Sequence, residues 1–68
     1  MKNYSESLKI QLLLDSKLNF RLSEVELLLI TGTVESCGIQ YIIEDLGNEW
    51  LVTERHFDTN QYFEHRYS

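Results

Sequence analysis

The chain contains no proline, a single cysteine and only three glycines among its 68 residues. One cysteine, Cys37, rules out an intrachain disulfide, so a reducing, cytoplasmic compartment is expected. Its plain reading is a small, half-buried side chain at a turn. A thiol nucleophile would need a base and an orienting group gathered in a pocket. A chain this short has little volume for one, so no enzymatic role is expected. Long apolar runs are also lacking. The longest, Leu27 to Ile30, falls far short of the roughly 20 residues that cross a bilayer. Met1 to Ser7 is polar and has no basic-then-apolar leader pattern, so a soluble protein without membrane attachment is expected. Paired metal ligands such as C-x₂-C or H-x₃-H are missing around Cys37, Glu54, His56, Asp58 and His65. Glu44, Asp45 and Glu49 do not follow the D-x-D-x-D-G spacing of a calcium loop. Neither metal nor cofactor is expected.

Positive charge is scarce and lies mostly in the first 21 residues. Residues 1–23 carry four cations (Lys2, Lys9, Lys17, Arg21) against Glu6 and Asp15, a balance of +2. Residues 24–58 carry eight carboxylates against Arg55 alone, a balance of −7, and in residues 59–68 Glu64 cancels Arg66. Phosphate recognition needs clustered Lys and Arg, so direct nucleic-acid binding is not expected.

What is present is alternation. Leu8, Ile10, Leu12 and Leu14 alternate with polar residues apart from Leu13, Asp15-Ser16-Lys17 reads as a turn, and Leu18, Phe20 and Leu22 alternate again. This favours a hairpin. Ile10, Leu13, Leu14 and Leu18 also fit helical spacing, with Ser5 or Ser7 as the cap, so residues 5–18 are helix or strand. Ser23 to Glu26 has the S-x-x-E form of a capping box. Even so, the alternation of Val25, Leu27 and Leu29, with Ile30, Thr31, Thr33 and Val34 beyond, favours a strand bent at Gly32. Glu35 to Gly38 reads as a tight turn with Gly38 at positive φ. Strands are expected over 39–43 and 49–52, joined by an Asp45–Asn48 turn, with Tyr41, Ile43, Trp50 and Val52 on one buried face. Thr53 is expected to cap one helical turn through His56 that ends at Phe57. Residues 59–68 form an edge strand or a flexible arm of the same single domain, 1–68.

The pattern Tyr41-x-Ile43-x-Asp45-x-Gly47-x-Glu49-Trp50-x-Val52-x₄-Phe57 resembles the second half of small Src-homology-3-like barrels, as in short proteins of Gram-positive bacteria and their phages. It covers 17 residues. The first half departs from that family, lacking its Gly-Lys-x-Tyr stretch near residues 24–30. The resemblance implies a binding or accessory module rather than a catalyst. The expected fold is mostly β, a small curled antiparallel sheet or such a barrel. With an N-terminal helix it would be α+β.

Aromatic residues crowd one end: Tyr41, Trp50, Phe57, Tyr62, Phe63 and Tyr67 all lie in the last 28 residues. Tyr41, Trp50 and Phe57 are expected in the core. Trp50 could also join Tyr62, Phe63 and Tyr67 in contacting a partner, with Glu44, Asp45 and Glu49 steering by charge. The leading functional expectation is therefore a non-catalytic protein-binding module of phage or mobile-element type, its partner a host protein or a second copy. The alternative is an acidic mimic of nucleic acid that inhibits a host DNA-binding protein or nuclease. Apolar residues on both faces of the early segments point to a homodimer, with Leu13 and Leu28 expected between subunits.

Overall fold

In a computed structural model the chain is described over residues 5–68. The first four residues of the polar Met1–Ser7 stretch lie outside the described part. Two helices, α1 (Glu6–Leu14) and α2 (Leu22–Thr31), precede four strands: β1 (Thr33–Ser36), β2 (Ile39–Asp45), β3 (Trp50–His56) and β4 (Gln61–Tyr67). The strands form one antiparallel sheet in sequential order. The helices pack on one face of it, and the other face is largely open, although Leu51 on it is buried. The fold is therefore α+β, with two helices and an open sheet rather than a closed barrel.

The expected hairpin over residues 8–22 is instead a helix and a turn. Successive alternate residues in a helix point to opposite sides, so the Leu8, Ile10, Leu12, Leu14 series is split. Leu8 and Leu12, one turn apart, are buried, whereas Ile10 and Leu14 face solvent. The buried pair is also not the Ile10, Leu13, Leu14, Leu18 set of the helical alternative. Ser5 caps this helix, its hydroxyl accepting the Leu8 N–H at 3.2 Å. The Asp15 turn forms as expected, its carboxylate taking the Lys17 N–H at 3.0 Å. Leu18 and Phe20 then bury into the core from the connecting segment rather than from a strand. Phe20 meets Tyr41 edge-on, with ring centroids 4.7 Å apart.

The strand expected from Val25 through Val34 is likewise corrected. Val25 and Leu28, three apart, are fully buried, and the chain between them is helical. The capping residue sits two positions earlier than the S-x-x-E reading placed it, since the Glu24 carboxylate accepts the Arg21 N–H at 2.8 Å. That bond, with the Ser36 hydroxyl adding to it, holds the Glu24 carboxyl below its ordinary range. Gly32 does not bend a strand. It adopts φ 87° and ends the helix, donating its N–H to the Leu28 carbonyl at 2.8 Å.

Beyond Gly32 the chain is a meander. Cys37 and Gly38 both take positive φ, 53° and 77°, making the two-residue connection from β1 to β2. Cys37 is exposed there rather than half-buried. The Asp45 carboxylate accepts the Gly47 N–H at 2.8 Å and shapes the next turn. β3 runs unbroken to His56, so the helical turn expected at 54–56 is absent. The chain reverses at Phe57–Asn60, where Asn60 donates to the His56 carbonyl at 2.8 Å.

Strand register sorts the side chains. The helix-facing side carries Val34, Tyr41, Ile43, Trp50, Val52 and Tyr67, and with Leu8, Leu12, Leu18, Phe20, Val25 and Leu28 it makes the core. Leu8, Leu12, Val25, Leu28 and Val52 are shut off from solvent, and each contributes about 1.5–3 kcal/mol of burial. Leu28 therefore belongs to the main core and not to an opposite face between subunits. Its assignment to that face followed from strand alternation, which a helix does not obey. Leu13 is partly buried and packs against the same core. No helix among the described residues is long and apolar enough to cross a membrane.

Candidate interaction surface at the open end of the sheet

The sheet is longer than the helices that cover it. At the covered end Tyr67 closes the core, and its hydroxyl donates to the Asp15 carboxylate at 2.6 Å. This bond holds the Asp15 carboxyl below its ordinary range. Burial, followed by the bond to Asp15, pushes the Tyr67 hydroxyl well above the usual tyrosine range. Tyr67 is thus a core residue and not a surface contact. Trp50, opposite Tyr67 in the register, is half-buried and packs against the core.

At the other end of the same face, Glu54 accepts from both His56 (2.6 Å) and His65 (2.9 Å), one imidazole on each carboxylate oxygen. The negative charge of Glu54 lies near enough to Tyr41 to reinforce burial in raising the Tyr41 hydroxyl. Phe63 stands across the register from Glu54 and meets His56 edge-on at 5.4 Å. No group of three or more His, Cys, Asp or Glu side chains among the described residues is placed to hold a metal ion.

The solvent face of this same end carries Arg55 and Tyr62, which are register partners. The Arg55 guanidinium lies 5.5 Å from the Phe57 ring centre and 5.8 Å from that of Tyr62. Its Nε is buried and has no hydrogen-bond partner. Phe57, Tyr62 and Phe63 are each about half exposed (47%, 58% and 47%). Phe57, expected in the core, therefore joins the surface. Tyr62 and Phe63 flank β4 on its two faces, and β4 is an edge strand paired only with β3.

Asp45 shapes its turn, Glu49 pairs with Arg66 at 2.8 Å, and Glu44 is exposed on the solvent face. Of the eight carboxylates in residues 24–58, six accept a hydrogen bond or form an ion pair within the chain: Glu24, Glu26, Asp45, Glu49, Glu54 and Asp58. Carboxylates committed in this way are not an uninterrupted track of charge.

The sequence reading missed the Arg55–Phe57–Tyr62 group and the Glu54 bridge. The signal for both is Asp58-Thr59-Asn60, a polar turn between two strand-like segments. Placing the reversal there sets Arg55 opposite Tyr62 and Glu54 opposite Phe63.

Together these features define a class: a small two-layer α+β domain with one bare sheet face and an aromatic-flanked edge strand. Compared with protein-family models, curated proteins and solved structures, the chain has no significant match.

Proposed function

We propose that the protein is a non-catalytic binding module that receives an extended segment of another protein along the free edge of β4. Backbone pairing at such an edge gives affinity, and side chains on either face give selectivity. Tyr62, Phe57 and Arg55 would grip the segment on the solvent face and Phe63 on the other. Aromatic and Arg side chains dominate the energetic centres of interfaces. One observation carries this reading: an unpaired edge strand flanked on both faces by half-exposed aromatic rings, with an arginine held against two of them.

Selection of peptides from a random display library against the full chain tests it. Selected peptides should shift the backbone amide resonances of residues 61–67, and Tyr62→Ala or Phe57→Ala should weaken them about tenfold. Selected peptides that leave β4 unshifted, or that bind both variants as well as the native chain, would overturn the proposal.

A further inference from the structure

The helical layer has a second surface, on the far side of the molecule from the bare sheet face. Helix α2 is apolar almost all round: Leu22, Val25, Leu27, Leu28, Leu29 and Ile30 occupy six of its ten positions. The sheet can cover only one side of it. A helix with apolar residues on all sides is normally buried on all sides. Here Leu27 and Ile30 stay exposed at 48% and 77%. On α1, Ile10 and Leu14 share one side, four residues apart and opposite the buried Leu8 and Leu12, and are exposed at 53% and 78%. The Lys9–Glu26 ion pair at 3.8 Å holds the two helices side by side. Ile10 and Leu14 lie opposite the buried Leu8 and Leu12, and Leu27 and Ile30 lie away from the buried Val25 and Leu28, so the exposed sides of both helices belong to the outer surface of the helical layer.

With Leu22 at 51%, five aliphatic side chains of the two helices stand between 48% and 78% exposed, more than the singly scattered apolar residues normal on a monomer. A standard interface takes about 800 Å² from each partner and pairs an apolar centre with a polar rim, and this face carries both kinds of surface. We infer that this face is the contact between two copies of the chain, packed helix layer to helix layer about a two-fold axis.

The charge pattern favours a second copy. The chain carries −5 overall, and two copies meeting through an acidic face would repel. The charged pair within this patch, Lys9 and Glu26, is already neutralised inside each chain. An aliphatic surface is complementary to itself and needs no charged counterpart, as an isologous contact requires. It would also enlarge the thin core of a 68-residue domain. This inference uses none of the residues assigned above to β4 binding, so either can fail without the other.

Sedimentation velocity at about 50 µM tests it. The native chain should sediment as twice its 8.1 kDa mass, and its melting temperature should rise with concentration. Leu14→Lys and Ile30→Lys alter side chains that a lone chain leaves in water, so each should give a folded monomer whose melting temperature no longer depends on concentration. Ile42→Lys, on the bare sheet face, should remain dimeric. A native monomer at 50 µM, a concentration-independent native melting temperature, or dimers that survive both helix substitutions would each overturn the inference. So would dissociation by Ile42→Lys alone.

Discussion

Tyr67 and His65 lie two residues apart on one face of one strand, and each bonds a carboxylate, yet their settings differ. Tyr67 reaches across to Asp15, beyond the end of α1, and so fastens the last strand to the helical layer. His65 reaches along the sheet to Glu54, which is shared with His56, and so fastens β4 only to β3. One contact joins two layers across 52 positions of chain. The other ties two neighbours that already share a ladder. Polar bonds of similar length can therefore serve different ends. The first sets how the layers meet, and the second stiffens a hairpin that projects past the core and carries the exposed aromatics.

Four experiments would break or sharpen this contrast. The largest effect is expected at the covered end. Leu28→Ala removes a fully buried side chain and should cost about 2–5 kcal/mol, enough to unfold most of so small a domain. Phe63→Ala removes more atoms from the open end but should cost about 1 kcal/mol or less. Urea denaturation followed by circular dichroism reads both. Equal losses would mean that the open end is packed as core, and the contrast would fail.

Next comes Glu54→Ala, which strips both imidazoles of their acceptor in a partly covered site and should cost about 1–2 kcal/mol. Glu54→Gln keeps an acceptor oxygen and should cost less. Identical losses for the two variants in the same urea titration would show that the bridge contributes no stability through hydrogen bonding.

Tyr67→Phe should cost about 1 kcal/mol near neutral pH, and its pH dependence is distinctive. The Asp15 carboxyl is held below its ordinary range, so the contact stabilises above the unfolded aspartate value, about 3.9, and is lost as pH falls through the folded value. The Tyr67 hydroxyl is raised, so its contribution is complete below the unfolded tyrosine value, about 10, and fades as pH rises through the folded one. The gap in stability between native and Phe chains should therefore be flat from about pH 5 to 9 and close on acidification. A gap that persists at pH 2 would assign the loss to packing instead.

The smallest effect concerns the turn beside the open end, where Gly38 accepts the Phe57 N–H at 3.2 Å. Cys37 holds φ 53°, a region asparagine adopts more readily. Cys37→Asn should raise stability by a few tenths of a kcal/mol and slow amide exchange at Phe57. Faster exchange at Phe57 would break the link between this turn and the open end.

The meander was largely legible because its signals are local. The Cys37-Gly38 reversal, the Asp45 turn and the core-facing row of Tyr41, Ile43, Trp50 and Val52 follow from turn chemistry and two-residue alternation. The surface was legible only in part. Tyr62 and Phe63 are exposed as expected of contact aromatics, while Tyr67 went to the core and Phe57 to the surface, because β3 runs past the residue where a helical turn was expected.

The amino-acid sequence by itself determined the Asp15, Cys37-Gly38 and Asp45–Asn48 reversals, the β2–β3 hairpin and the excess of apolar side chains in the first half, while the full length of β3 and the reversal at 57–60 were not read from it. Only the tertiary structure decided that residues 6–14 and 22–31 are helices. As a string of letters, Leu8, Ile10, Leu12 and Leu14 fit a strand while Ile10, Leu13, Leu14 and Leu18 fit a helix, and the letters do not choose between them. With the sheet present, pairing Leu8 with Leu12 and Val25 with Leu28 buries four side chains against it and satisfies the backbone within each helix. Another pair of strands added at a sheet edge would have left the face that carries Tyr41, Ile43 and Val52 without a layer to bury it. The competition was settled by what each arrangement could bury and pair, and both depend on residues far away in the chain.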